Sequence, residues 1–327
     1  MKKIAIIGAG ISGTVCAYEL KNKGYDVTLF DKSRGVSGRS TSKRWDPITG
    51  IAIDMGVPYI YENEIEGNPL FKHLSDENII VPWELVQNKN SDIKKYRTFV
   101  GSPKMSSIAR YLSKEINLVT EAKINKINYT NKWNIYTESN EWNGFDYLVL
   151  AIPAAQYNLI NGVSEDLNLE ASKINYQAVN TLLIEMKSPL WFDDYNEEIV
   201  NSPYIKKVIA DYHKPGREKN RYTYAIHAQE SWSTKTFDDL SKEDVEKIMI
   251  SEIMNKYNRN EDLILKKICH RWKYSQLAGH LESIQQDFLK STDNLLYACG
   301  DWLNGFKYAS SFSSGYKLAQ EIINGEN

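Results

Sequence analysis

Three glycines and a carboxylate near the start of this 327-residue chain have the types and spacing to do chemistry. Gly8, Gly10 and Gly13 stand in the run Gly8-Ala9-Gly10-Ile11-Ser12-Gly13. In such a run the first glycine makes a tight turn and the second lets the backbone approach a pyrophosphate. The third allows close helix–strand packing, and Ile11 and Ser12 lie at the positive end of the helix dipole. Asp31 follows 18 residues after Gly13, beside Lys32, where a carboxylate can hydrogen-bond a ribose hydroxyl. The pattern predicts a nucleotide, without distinguishing NAD from FAD. Asp31-Lys32-Ser33-Arg34-Gly35-Val36-Ser37-Gly38-Arg39 adds a small-residue turn at Gly38 and an arginine just past the ribose position. A fixed Arg39 guanidinium there can form a bidentate pair with the same pyrophosphate.

The elements that must position these residues are legible around them. Lys3–Ile7 reads as a short buried strand, residues 11–23 have helical spacing, and residues 26–30 read as a second strand, giving strand, glycine turn, helix, strand. A helix is expected near residues 69–75, a hairpin-like region up to Val100, another helix over 106–114, and a three-stranded meander over 118–142. Residues 147–152 form an apolar run closed by Pro153, as a buried parallel strand would. From about residue 165 to 287 the character turns β-rich around one helix at 242–257. The end returns to a strand at 295–299 and a helix from about 313 to 323. The expected class is α/β (α+β overall), with a Rossmann-type nucleotide-binding domain over 1–55, 100–164 and 288–327. A second, β-rich substrate domain takes 56–99 and 165–287.

Composition narrows the partners. With 40 basic and 42 acidic residues the net charge is -2, which is no field for nucleic acid or an anionic membrane. A small polar molecule is the expected partner. Cys16, Cys269 and Cys299 form no CxxC and no even-numbered framework, which argues for a cytoplasmic chain and against a structural zinc. Met1-Lys2-Lys3 and the apolar run to Cys16 superficially resemble a signal peptide, but the glycine spacing fits a nucleotide turn instead. No stretch approaches the ~18 to 20 apolar residues of a spanning helix.

The turn ending at Arg39 resembles the glycine-glycine-arginine turn of the flavin amine oxidase superfamily, with Ser37 in place of one glycine. Phe30-Asp31-Lys32-Ser33-Arg34, Ser42-Lys43-Arg44 and Asp54-Met55-Gly56-Val57-Pro58-Tyr59 then resemble successive signatures of the renalase family, in its bacterial branch. Further matches include Val100-Gly101-Ser102-Pro103-Lys104-Met105, Lys214-Pro215-Gly216-Arg217, Glu230-Ser231-Trp232-Ser233 and His270-Arg271-Trp272. Cys299-Gly300-Asp301-Trp302 resembles the superfamily's motif for the ribityl-phosphate part of FAD, and Ile124 matches a position whose backbone contacts adenine.

That resemblance implies an amine-oxidase-like, two-domain flavoprotein with non-covalent FAD. It assigns cofactor contacts to Asp54, Met55, Gly56, Gly300, Asp301, Ser311 and Phe312, although the family usually has a glycine-alanine pair where Ser310-Ser311 stand here. It implies oxidation of 2- or 6-dihydro isomers of NAD(P)H to NAD(P)+, with O2 reduced to H2O2. An amine oxidase or desaturase of the same fold and a nucleotide-binding protein without turnover are the alternatives. Tyr59, Trp232, His270, Trp272, Tyr274 and Tyr308 are candidates for the cavity wall. No Ser-His-Asp, Cys-His or paired-carboxylate arrangement stands out, and none is required for hydride transfer.

Overall fold

The computed structural model describes residues 1–278, 284–292, 295–305 and 307–325. The chain divides into two compact units, Met1–Gly38 with Ala109–Asn175 and Leu277–Asn327, and Arg39–Ile108 with Tyr176–Gln276.

The first unit is built on a six-stranded sheet in the order Phe288–Lys290, Leu296–Cys299, Tyr147–Leu150, Lys3–Ile7, Asp26–Phe30, Asn117–Val119. All neighbours are parallel except the antiparallel edge strand Phe288–Lys290. The central strands are largely apolar because both faces are covered, one by helices and the other by the meander, where Phe30 meets Trp142 and Phe145 edge-on, which leaves no solvated side to alternate with. The helices Ile11–Asn22 and Tyr308–Asn324 pack on this sheet through Cys16, Ala17, Leu20, Leu318, Ala319 and Ile322. The meander is Lys126–Tyr129, Trp133–Tyr136 and Glu141–Phe145. It starts later than the sequence suggests: Leu118 belongs to Asn117–Val119, which pairs with Asp26–Phe30 at the edge of the large sheet. Three apolar-alternating residues cannot declare by pattern which sheet they join.

The second unit carries an eight-stranded sheet in the order Ile264–Leu277, Tyr176–Met186, Tyr222–Ala228, Ile205–Ala210, Glu197–Ile199, Ile80–Lys89, Asp92–Gly101, Ile60–Tyr61. Its period of two separates two faces. One bears Leu182, Ile184, Val208, Tyr224 and Ile226 and is covered by the helix Lys242–Lys256 through Val245, Met249, Ile250 and Ile253. Ser241 caps that helix, its Oγ accepting the Asp244 N–H at 3.0 Å. The opposite face bears Leu183 and Ala225, against which Trp45, Ile53, Met55 and Trp272 pack. That packing draws residues 39–55 into the second unit, which also takes 100–108, while 165–175, 277–278 and 284–287 group with the first. The short strand Ala52–Asp54 pairs with Ser42–Arg44 and delivers Ile53 to the large sheet.

Candidate cofactor and substrate sites

In the first unit the sheet order reverses between Lys3–Ile7 and Tyr147–Leu150, since the chain builds outward to one side through Asp26–Phe30 and to the other through Leu296–Cys299. Ligands of open α/β sheets bind at the carboxyl ends of the strands flanking such a reversal. Gly8 and Ala151 occupy those two ends. Gly8 has φ +109°, and a Cβ on it would stand 2.4 Å from the Ala151 carbonyl oxygen. A Cβ on Gly13 would stand 1.9 Å from the Gly8 carbonyl oxygen, so both positions are closed to side chains by the protein itself. Gly10 differs: a Cβ there would meet nothing within 4 Å. Nothing in the protein closes this position, and an open backbone of this kind is what a pyrophosphate would need to approach the turn.

Asp31 ties the turn to the second strand. Its Oδ2 accepts the Ala9 N–H at 2.8 Å and its Oδ1 accepts the Ser33 N–H at 2.7 Å, and each oxygen keeps a lone pair for a ribose hydroxyl. The Ser37 N–H donates to the Ala9 carbonyl at 2.8 Å, and Gly38 lies so close that a Cβ on it would be 3.2 Å from Gly10 Cα. Ser37 itself takes φ +110°, the conformation the resembling family fills with glycine. The turn therefore keeps its glycine-type shape around a serine. Lys32 is exposed and donates to Gln156 Oε1 at 2.9 Å. Ile124 is buried but precedes the meander's first strand, correcting its expected place within that strand. The adjoining backbone joins the ribose end of the site: the Glu121 and Ala122 N–H groups donate to the Ser33 and Asp31 carbonyls.

The C-terminal motif returns to the same strand ends. Gly300 donates its N–H to Ser314 Oγ at 2.9 Å, and buried Asp301 opens the turn Asp301–Leu303. A Cβ on Gly315 would stand 2.1 Å from the Ser12 carbonyl, so the last helix and the first meet backbone to backbone. The last helix starts at Tyr308, five residues earlier than its sequence pattern shows. Its leading amides therefore belong to residues 308–310. The Ser311 N–H already donates to the Lys307 carbonyl at 3.0 Å, and the Phe312 side chain is fully buried. Trp302 Nε1 and Tyr308 Oη are buried without a hydrogen-bond partner among the described residues. Buried polar atoms left unpaired are uncommon, and a ligand at these strand ends is one way to satisfy them. The open Gly10 backbone, the Asp31 lone pairs and these two atoms fit a dinucleotide cofactor.

The cofactor candidates of the second unit form a tight local structure. Arg39 Nη1 donates to the Ser275 carbonyl at 3.2 Å. The backbone of 55–57 runs beside 39–41: Met55 N–H bonds the Thr41 carbonyl and Val57 N–H the Arg39 carbonyl, and a Cβ on Gly56 would come within 1.8 Å of the latter oxygen. Asp54 is fully buried, and its carboxylate is used internally. It accepts from Ser42 Oγ at 2.7 Å, the Met105 N–H at 2.9 Å, Lys214 Nζ at 2.9 Å and Arg217 Nη2 at 2.6 Å. Lys214 also pairs with Asp211 at 2.7 Å. Burial opposes ionisation of Asp54, but Arg217 and Lys214 outweigh it and hold the carboxyl well below the usual range, while burial holds Asp211 above it. Two anions and two cations are thereby buried together with no net charge.

The cavity candidates divide. Trp272 and Met55 share the Leu183–Ala225 face of the large sheet, and His270 lies edge-on to Trp272 at 4.2 Å. Tyr59 donates its hydroxyl to the buried Glu197 carboxylate at 3.0 and 3.1 Å, and Lys207 Nζ reaches both groups, at 3.2 and 3.0 Å. Trp232 is brought to neither group: it packs against the opposite, helix-covered face beside Tyr204. Its sequence context of polar helix residues does not reveal which face of the sheet it caps. Tyr274 meets Tyr176 edge-on at 5.6 Å, and Tyr308 belongs to the first unit. Glu197 and Lys207 escaped the sequence reading; the signal was two adjacent lysines, Lys206 and Lys207, inside an otherwise apolar strand.

Comparison with known proteins matches residues 6–76 to the NAD(P)-binding Rossmann-like domain family. The chain is 24% identical to renalase from Mus musculus, covering 98% of this chain and 99% of that protein. Over nearly its whole length the chain is thus similar to a renalase. Its fold is similar to that of an Exiguobacterium protein assigned as a protoporphyrinogen oxidase, with a TM-score of 0.78 and 10% identity over 99% of both chains. It is also similar to a putrescine oxidase, with a TM-score of 0.71 and 12% identity over 99% of both chains. Among the described residues no helix is long and apolar enough to cross a membrane.

Proposed function

We propose that this chain oxidises dihydronicotinamide dinucleotides of the 2- or 6-dihydro type to NAD(P)+, with O2 as the terminal acceptor. FAD, when bound, would supply the hydride acceptor and the two-electron route to O2, which with one proton drawn from solvent gives H2O2. A dihydropyridine that loses hydride becomes aromatic, so no proton leaves it and no side chain has to act as base. The chain's own task is to bind and orient the two rings. Gly8, Gly10, Gly13 and Asp31 would hold the pyrophosphate and ribose, with Arg39 as a second pyrophosphate ligand and Gly300-Asp301 toward the ribityl phosphate.

Lys207 carries the choice between substrates. Its ammonium lies 4.9 Å from the centroid of Tyr59, so that aromatic ring already has a cation beside it. An amine oxidase has to gather its substrate amine among aromatic rings, and the space beside this ring is already filled by the Lys207 ammonium and its Glu197 partner. A dihydropyridine does not depend on that space, which, with the full-length likeness to a renalase, favours this reading over the amine alternative. Anaerobic stopped-flow reduction with 2- and 6-dihydro isomers of NAD(P) and with a panel of amines tests it. The isomers should bleach the flavin at a limiting rate nearly constant between about pH 6 and 9. Amines that bleach it faster, with a rate rising about tenfold per pH unit, would overturn the proposal.

A further inference from the structure

The face of the large sheet that bears Met55 and Trp272 also carries a short polar row that the cofactor site does not use. Thr181 pairs in register with His227, and His227 with Lys207, on three adjacent antiparallel strands. Leu182, Ile226 and Val208, the next residues along, occupy the helix-covered face, so the three polar side chains share the other. Directly paired residues of antiparallel strands hold their Cβ atoms ~4.5 to 5.5 Å apart. Thr181 is 1% exposed, and neither its hydroxyl nor His227 Nε2 has a hydrogen-bond partner among the described residues. A buried hydroxyl and a buried imidazole nitrogen side by side, both unpaired, are an expensive arrangement for a fold to keep without a ligand. Lys207 closes the row, with two of its three N–H donors directed to Glu197 and the Tyr59 hydroxyl.

We infer that Thr181, His227 and Lys207 form a subsite for a neutral planar group that both donates and accepts hydrogen bonds, namely the carboxamide of the dihydronicotinamide ring. This rests on the proposed function and extends it to the feature by which substrate is recognised. Charge selects the group. Lys207 is already balanced by buried Glu197, so a carboxylate ligand would arrive as an uncompensated anion. Burial, reinforced by Lys207, Lys214 and Lys206, keeps His227 neutral, so Nε2 offers one donor or one acceptor and no charge. The threonine hydroxyl can serve in either sense, and the third Lys207 N–H suits a carbonyl oxygen.

Thr181→Val and His227→Leu test the subsite in the flavin-loaded protein. Each should raise the apparent Kd for the reactive dihydronicotinamide isomer on the order of tenfold, as expected for one lost hydrogen bond, and change the limiting rate of flavin reduction by less than about threefold. Wild type should bind the isomer at least tenfold tighter than its nicotinic-acid counterpart, in which a carboxylate replaces the carboxamide. Thr181→Val should also leave Tm unchanged or raised, because the hydroxyl it removes has no partner in the fold. An apparent Kd within twofold of wild type for Thr181→Val overturns the subsite even if His227→Leu fails to fold. If no isomer bleaches the wild-type flavin, the proposed function falls separately. Calorimetric titration with NAD+ and with its nicotinic-acid analogue then decides the subsite, and equal affinities overturn it.

Discussion

Asp54→Asn should be among the most destabilising single-atom changes in this protein, and the structure says by how much and through which partners. Asp54 has no solvent exposure and accepts four hydrogen bonds, two of them from the buried cations Lys214 and Arg217. The amide oxygen can keep the Ser42 and Met105 bonds. The two charge-assisted bonds lose their anion, leaving Lys214 and Arg217 to share Asp211 alone. Removing one member of a buried ion-pair set costs about 3 to 5 kcal/mol, a large share of the roughly 5 to 15 kcal/mol that holds a typical protein folded. Urea unfolding at pH 7 measures it directly. Adding Lys214→Met to Asp54→Asn restores neutrality and should recover part of the loss, a coupling that simple misfolding would not give. The acid limb supplies a second readout. Because the folded Asp54 carboxyl sits below its unfolded value of about 3.9, the unfolded chain takes up the proton first as pH falls. Its stabilisation is present above about pH 4 and is lost below it. Asp211, held above its usual range, contributes in the opposite sense and diminishes but does not remove that loss. Asp54→Asn should therefore lose less stability than wild type between pH 5 and 3. Unfolding free energies within about 0.5 kcal/mol at pH 7 would refute the account of the buried quartet.

Three further outcomes are expected. Arg39→Ala should weaken FAD retention by about 1.5 to 3 kcal/mol, and Arg39→Lys should restore only part of it, read by flavin content and affinity after dialysis. Ser37→Gly should be more stable than Ser37→Ala by about 1 to 2 kcal/mol, since both lack the hydroxyl and only glycine accepts φ +110° without strain, as thermal unfolding of the pair would show. Acid precipitation should leave the yellow chromophore in the supernatant. Cys269, the cysteine nearest to an attachment candidate, lies in the helix-covered core with its thiol pushed up to about 11 by burial and by Glu246, and cannot readily supply a thiolate.

How much of this was readable from sequence depends on how local the cause is. The glycine turn, Asp31 and the first strand–helix–strand unit are written within some thirty consecutive residues, and each has a backbone reason there: Gly13 is closed off by Gly8, and Asp31 is fastened to Ala9 and Ser33. The edge strand Asn117–Val119 was misjoined because its pairing with Asp26–Phe30 spans almost ninety residues of chain and leaves no periodic mark on so short a segment. The last helix was cut short for a related reason: Tyr308 is followed by Ala309, Ser310 and Ser311, small residues that show no apolar stripe until Phe312.

The second unit shows where sequence reading ends. Asp54 stands in a motif that suggested cofactor contact, yet its carboxylate is consumed by Ser42, Met105, Lys214 and Arg217, which arrive from three separate segments. Lys214 and Arg217 lie in another recognisable motif, and only the fold reveals that the two motifs are a single buried ion network. Thr181 and His227 carry no motif at all, and antiparallel register alone makes them neighbours. The motifs thus locate the residues that fix the chain's shape around a nucleotide. The residues placed to discriminate among substrates are ordinary strand positions, identifiable only by polar atoms that the finished fold leaves unpaired.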